Sequence, residues 1–279
     1  MSRKSFPSQQ IGDFTVTAIS DGYLTASLDF LSNIDPQEAG CIQAAAGVIP
    51  QTSVHINCYL VRGGGHTILI DSGAGGFKQW GGNLLVHLSL AGVEPAEIDR
   101  ILLTHAHPDH IGGLITSSGI PAFPNAELLV HEQEAIFWQD DGNLSRADER
   151  ARGNFHLARL VFDSYRSKLR RFGCGEILQA IHAMPIPGHT LGHTAFRIES
   201  GGRSVLIWGD IVHFPHIQIS RPEVSIAFDQ DPFMAAQTRL KILDLVHMEK
   251  LLIGGMHLGK SGFARIEKTN GSYGLVYAP

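Results

Sequence analysis

Within six consecutive positions, His105-Ala106-His107-Pro108-Asp109-His110, the chain carries three imidazoles and a carboxylate. They follow the apolar run Ile101-Leu102-Leu103-Thr104 and lead into Ile111-Gly112-Gly113-Leu114. A four-residue apolar run bounded by polar and Gly/Pro signals predicts a short, fully buried strand. Pro108 stiffens the turn and removes a donor, so the polar cluster is expected on a loop held by that strand. Imidazole nitrogen and carboxylate oxygen are ligands of divalent transition metals. The competing reading is a His-rich surface turn, but three His and an Asp seldom cluster without a charge partner.

Three further stretches repeat the pattern. His189 lies in Gly188-His189-Thr190-Leu191-Gly192-His193, after the strand-like run from His182 to Ile186. Asp210 follows Val205-Leu206-Ile207-Trp208-Gly209, and His257 follows Leu251-Leu252-Ile253-Gly254-Gly255-Met256. Each candidate ligand is placed just past a buried strand, with Gly beside it to allow close backbone approach.

This HxHxDH, His, Asp, His order resembles the metallo-β-lactamase superfamily, over a span from about Phe14 to Tyr277. The resemblance implies an α/β fold, a four-layer αββα sandwich in which two mixed sheets pack together and helices lie outside. We expect one domain over residues 1–279, with two structural halves at roughly 12–175 and 176–279. The resemblance further implies two divalent metal ions, one held by His105, His107 and His189, the other by Asp109, His110 and His257, with Asp210 bridging. A hydroxide shared by the metals would be the nucleophile, Asp109 and Asp210 would be the catalytic carboxylates, and Asp109 would hold the proton in transit. Ligand chemistry suits zinc, with manganese, iron and cobalt compatible. His107 stands where the flavodiiron oxidoreductases of the superfamily carry Glu, which favours hydrolysis over redox chemistry.

Other residues receive two readings each. Asp71 either caps the following helix or, by the resemblance, hydrogen-bonds a metal-binding imidazole from behind; His193 reads as a hydrogen-bond donor behind the metal site or as a core residue. The stretches Ala122-Phe123-Pro124-Asn125-Ala126, Phe137-Trp138 and Asp229-Gln230-Asp231 resemble the methyl parathion hydrolase branch and its organophosphate-degrading lactonase neighbours. That resemblance places Phe123 and Trp138 in an aromatic substrate pocket; otherwise both are core aromatics. His213 and His216 would line the pocket, protonate a leaving group, or serve only structure. His55, His66, His87, His131, His156, His182 and His247 are assigned no function. The expected activity is a lactonase or esterase with possible phosphotriesterase activity on a small-molecule substrate. The alternatives are a β-lactamase, a mononuclear-iron enzyme of the persulfide dioxygenase type, and a non-catalytic metal-binding scaffold.

Composition narrows the partners. The net charge of −5, with Lys168-Leu169-Arg170-Arg171 as the one basic cluster, lacks the electrostatic footprint of nucleic-acid binding. That cluster reads as the cationic end of a helix. No apolar run approaches a membrane span. Three cysteines, Cys41, Cys58 and Cys174, form no CxxC pair and read as free, buried or half-buried thiols. A reducing, cytoplasmic setting is therefore expected, or the periplasm if a leader has been removed.

Along the chain, Met1 to Gln10 is polar and expected to fray. A strand is predicted at Phe14–Ile19, with a turn at Asp21-Gly22. Residues 23–52 lack a period and suggest a lip over the site or a homodimer contact. Gly63-Gly64-Gly65 reads as a hairpin turn between His55–Val61 and Thr67–Ile70. Helices are predicted from Leu84 to Leu90, from Glu132 to Gln139, from Phe155 to Arg171, and after the N-cap Asp231 and Pro232. Residues 140–152 read as an exposed connection. In the second half, strands are expected near 182–187, 194–199, 203–208, 225–228, 251–254, 263–267 and 273–277.

Overall fold

The computed structural model describes residues 6–278. The first half runs β1 (Ser8–Ile11), β2 (Phe14–Thr25), β3 (Leu31–Ser32), α1 (Pro36–Ala45), β4 (Ser53–Gly63), β5 (His66–Ile70), α2 (Leu84–Leu90), β6 (Arg100–Leu102) and α3 (Pro108–Ile111). It continues through β7 (Glu127–His131), α4 (Glu132–Gln139), α5 (Asp141–Arg146), α6 (Glu149–Ser164) and β8 (Leu169–Phe172). The second half comprises β9 (Gly175–Leu178), β10 (Ile181–Pro185), β11 (Thr194–Ser200), β12 (Arg203–Ile207), α7 (Pro215–Gln218) and β13 (Ser225–Ile226). It closes with α8 (Pro232–Met248), β14 (Leu252–Gly254), β15 (Phe263–Thr269) and β16 (Ser272–Tyr277).

One sheet has the order β1-β2-β4-β5-β6-β7-β8, the other β16-β15-β14-β12-β11-β10-β9, and a small ladder joins β13 to β3. The chain thus leaves one large sheet for the other between Phe172 and Gly175. Strand alternation distributes the apolar side chains to three layers. On β4, Cys58 and Leu60 face the helices of the first half, whereas Tyr59 and Val61 face the second sheet. On β12, Val205 and Ile207 point between the sheets and Leu206 points outward to Leu243 and Val246 of α8. Helix, sheet, sheet and helix therefore stack as four layers, each interface with its own apolar core.

Parallel pairing sets where the loops emerge. β5 runs parallel to β6, with Ile70 opposite Leu102, and β12 runs parallel to β14, with Ile207 opposite Gly254. The C-terminal ends of these four strands deliver Asp71, the His105–His110 segment, Asp210 and His257. The register holds beyond the strands through Asp71 N–H to the Leu102 carbonyl at 3.0 Å and Trp208 N–H to the Gly254 carbonyl at 2.9 Å. Across the two sheets, Thr194 N–H donates to the Thr104 carbonyl at 2.9 Å.

Several local expectations are corrected. Part of the terminal stretch expected to fray supplies β1; residues 1–5 lie outside the described residues. Asp21-Gly22 is no turn but the bulge within β2, its register shifting between Ser20 and Gly22. Residues 140–152 form α5 and the start of α6, capped by Asp140 and Asp148 on the N–H groups of Asn143 and Ala151. α6 stops at Ser164; Lys168 ends a short 3-10 turn, Arg166–Lys168, while Arg170 and Arg171 lie exposed on β8 beside the buried Phe172. Cys41 and Cys174 are exposed; Cys58 is buried as expected.

Because Leu206 is fully buried against α8, Leu206→Ala should lower unfolding free energy by about 2–5 kcal/mol in urea titration. Val276→Ala, on a half-exposed position of β16, should stay within about 0.5 kcal/mol.

Candidate metal centre

Each candidate ligand stands at an end that the sheets fix. His107 occupies the position before α3, and Pro108 starts that single turn, so Asp109 and His110 project from its first residues. Ser72 ties the turn to the end of β5: its N–H and its hydroxyl donate to the His110 carbonyl at 2.7 and 2.8 Å. Gly209 adopts φ +57°, and a Cβ there would collide with His193 Nε2 and Thr104. Only glycine brings Asp210 this close to the His193 ring.

The seven residues predicted as ligands converge. His105, His107 and His189 form one group, and Asp109, His110, Asp210 and His257 another, the candidate atoms within each lying no more than 4.8 Å apart. In the first, His107 Nδ1 is 3.1 Å from His105 Nε2 and 2.9 Å from His189 Nε2. Tetrahedral ligands at the usual zinc–nitrogen distance would stand about 3.3 Å apart, so the spacing fits a small cation. In the second, Asp210 Oδ2 lies 3.2 Å from His110 Nε2 and 3.1 Å from His257 Nε2. The same oxygen is 3.8 Å from His105 Nε2 and 3.6 Å from His189 Nε2, so Asp210 faces both groups. Its Oδ1 is buried with no hydrogen-bond partner among the described residues. Converging lone pairs and an orphaned carboxylate oxygen are what a divalent cation satisfies, and the donor set is that of such ions.

Electrostatics agree with that donor role. Burial, with neighbouring imidazoles adding to it, pushes His105 and His107 well below the ordinary histidine range, so both are neutral with lone pairs free. Burial opposes the charge of Asp210, yet the surrounding His110, His257 and His213 hold its carboxyl well below the usual range.

The far nitrogens of His105, His110, His189 and His257 are also bound, which fixes their tautomers. His110 Nδ1 donates to Asp71 Oδ2 at 2.6 Å, and Asp71 in turn accepts from the Thr104 N–H at 2.8 Å and hydroxyl at 2.6 Å. Asp71 itself sits at φ +56°, a conformation that Asp tolerates better than most residues. Of its two readings, support of an imidazole is therefore the one that the contacts fit. His257 Nδ1 donates to the His55 carbonyl at 2.7 Å. His193 Nε2 accepts the Asp210 backbone N–H at 2.9 Å, so it holds that loop from behind as an acceptor and not as the expected donor.

Two supporting carboxylates escape sequence reasoning. Asp229 Oδ1 accepts from His189 Nδ1 at 2.8 Å and is fully enclosed. Glu134, also buried, accepts from Ala106 N–H at 2.9 Å, Gly192 N–H at 3.0 Å and Trp138 Nε1 at 2.8 Å. It clamps the two histidine-bearing loops together. The signal for Asp229 is a second acidic residue before a helix that Asp231 already caps; Glu134 offers none, being an ordinary residue of a predicted helix.

A cavity of about 360 Å³ opens on the centre at His107, Asp109, Asp210 and His213. Leu24, Phe30, Phe137, Trp138, Phe155 and Phe228 supply its apolar wall. Trp138 is both things expected of it, a buried aromatic edge-on to His107 and part of that wall. His213 lines the cavity and holds Nε2 3.2 Å from Asp210 Oδ2. Phe123 does not reach the cavity. It is fully buried in the core beneath α6, where its N–H donates to the Tyr165 hydroxyl at 3.2 Å. Nearness in sequence to the metal loop does not bring it near in space. Of residues 23–52, expected as a lip or a dimer contact, Leu24, Thr25, Ala26 and Phe30 line this cavity.

Residues 52–255 match the model of the metallo-beta-lactamase superfamily. The chain belongs to that superfamily. Its four-layer αββα architecture is the metallo-β-lactamase fold. The solved structure of the hydrolase AbOPH in the beta lactamase superfamily is similar at 31% identity and TM-score 0.92, covering 98% of this chain and 97% of that one. AidC, a dizinc quorum-quenching lactonase solved with the product N-hexanoyl-L-homoserine, shares the fold at TM-score 0.91 and 24% identity, covering 100% and 99%. The thioesterase pkgB of Emericella nidulans is 28% identical over 72% of this chain and 50% of its own length. This chain thus spans about half the length of the curated relatives it matches. As a superfamily member it carries clustered His and Asp side chains that could hold metal ions. No helix among the described residues is long and apolar enough to cross a membrane.

Asp71→Asn and Asp229→Asn should each weaken divalent-metal affinity by about 10–100-fold, read by competition with a chromophoric chelator. Affinity equal to wild type in both would remove their supporting role.

Proposed function

We propose that the protein is a dinuclear metal-dependent hydrolase of carboxylic lactones or esters, with activated phosphotriesters as secondary substrates. The carrying observation is that Asp210 faces two ligand groups at the floor of a largely apolar cavity. When bound there, two divalent cations, zinc by ligand chemistry, would lower the pKa of water toward about 7 and polarise an acyl oxygen. The protein supplies position and proton handling. His105, His107 and His189 would hold one ion, and Asp109, His110 and His257 the other, with Asp210 common to both.

Asp109 presents its carboxylate 3.5 Å from His110 Nε2 and 3.6 Å from His257 Nε2, at the cavity floor. Burial disfavours its charge, but His110 and His257 keep it ionised below the usual carboxylate range. Its place at the cavity floor suits it to accept a proton as water attacks and to return it to the departing alkoxide. His213 Nε2, directed at Asp210 Oδ2 from the cavity wall, orders the polar side of the same space. Phe137, Trp138 and Phe155 would take the acyl portion and exclude bulk water. A lactonase and a thioesterase among the similar proteins support acyl transfer to water as the reaction class.

The metal-loaded protein should hydrolyse members of a panel of γ- and δ-lactones, aryl esters, paraoxon-like triesters and nitrocefin, with lactones or esters first by kcat/KM. His107→Ala and Asp210→Ala should each lower kcat/KM by at least about a hundred-fold. Two bound metals with no turnover on the panel would favour a scaffold, and nitrocefin as best substrate a β-lactamase.

A further inference from the structure

A second cavity, of about 750 Å³, lies on the other side of the same centre. The two cavities share Val54 and His213 as wall residues, and His257 lines the second. An ester whose carbonyl sits at the centre can therefore extend one arm into each. Their chemistry differs. The first has a largely aromatic and aliphatic wall, where Lys78 and Arg150 lie over the Trp80 and Phe228 rings and Asp109, Asp210 and Asp229 supply carboxylates, whereas the polar lining of the second includes His55, His213, His216, His257 and Lys260 beside Val48, Ile49 and Pro50. Among the described residues, no Asp or Glu lines it, in a chain of net charge −5.

Two of those residues lack partners. His55 is 6% exposed, and both of its ring nitrogens are buried with no hydrogen-bond partner among the described residues. Its backbone carbonyl is engaged by His257 and its ring stands edge-on to Tyr23 at 4.6 Å, so the ring is held in place while its N–H stays unused. Buried polar groups are nearly always satisfied, and an unsatisfied one on a cavity wall marks a place for a ligand atom. Lys260 is exposed at the same wall and makes no ion pair among the described residues. Ser261, by contrast, already donates to the Ala278 carbonyl at 2.8 Å.

We infer that the second cavity is an anion-binding subsite for the leaving portion of the substrate, which carries a carboxylate recognised by Lys260 and His55. This rests on the hydrolase reading above and deepens it: the acyl arm is apolar, and the alcohol or thiol arm is anionic. A neutral side chain in place of Lys260 would leave that arm without its cation; a carboxylate there would repel it.

The test compares phenyl hexanoate with 3-carboxyphenyl hexanoate on the metal-loaded protein, each corrected for its hydroxide-catalysed rate. The anionic ester should exceed the neutral one by about ten-fold or more in kcat/KM, and Lys260→Glu should lower that ratio by about ten-fold, Lys260→Gln by less. His55→Phe, which keeps the ring and removes the nitrogens, should also lower the ratio. A wild-type ratio of one or below, or a ratio that Lys260→Glu leaves unchanged, overturns the subsite while turnover of the neutral ester upholds the hydrolase. If neither ester is hydrolysed, the lactone and triester panel decides the hydrolase reading, and calorimetric binding of 3-hydroxybenzoate decides the subsite. A dissociation constant raised about ten-fold by Lys260→Glu supports it, and an unchanged one overturns it.

Discussion

One buried oxygen, Asp210 Oδ2, stands 3.1–3.8 Å from ring nitrogens of five histidines, His105, His110, His189, His213 and His257. A carboxylate so enclosed is costly unless it is paired with positive charge or coordinates a metal. Those five rings arrive from both large sheets, so both sheets must end at one place and at one depth. The parallel pairs β5–β6 and β12–β14 meet that demand, because parallel neighbours direct their C-terminal loops to the same edge. The antiparallel hairpin of β10 and β11 adds His189 from its connecting loop, and β4 brings the His55 carbonyl to His257.

Bringing imidazoles together is only half of the problem, since each ring can rotate and each loop can drift. Asp71, Asp229, the His55 carbonyl and the Thr104 hydroxyl each hold one Nδ1, leaving Nε2 to face inward. Glu134 acts on backbone instead, through Ala106 and Gly192, so it sets the separation of the two loops that carry His105, His107 and His189. Tolerances of roughly 0.5 Å decide whether a constellation of ligands works, and these contacts supply that rigidity. Asp21 performs a similar service further out, accepting N–H groups of Ala74, Gly82 and Leu84 at 2.8–3.0 Å.

What the sequence disclosed follows from how local each signal is. His105 to His110 are adjacent, and each remaining ligand ends an apolar run, so the ligand set and the strands behind it are legible. The hairpin around Gly63–Gly65 and the capped start of α8 are equally local. Glu134 and Asp229 are not, because the contacts that tie them to the ligand loops reach 28 to 58 residues away, and both of Glu134's are to backbone. Phe123 misleads in the opposite way: it follows the metal loop in sequence, but the chain has turned beneath α6 by then. The limit of α6 was hidden because Leu169 and Phe172 extend an apolar helical spacing, while the period-2 alternation of β8 spans only four residues. α5 was hidden by its polarity, although Asp140 and Asp148 are cap residues in plain view.

The His55 position shows why the centre and its surroundings cannot vary independently. β4 carries Val54 into the small core with Phe214 and Ile217, offers the His55 carbonyl to His257, and turns the His55 ring to the second cavity. Strand geometry makes these three commitments inseparable: moving the ring by a register step would also remove the acceptor that fixes a ligand. A histidine with no hydrogen-bonded ring nitrogen is a poor choice for a position that merely presents its carbonyl, since any residue offers that. Val, Ile or Phe would fill the space beside Tyr23 without burying unpaired nitrogen. The side chain is thus better accounted for by what enters the cavity than by the stability of the wall.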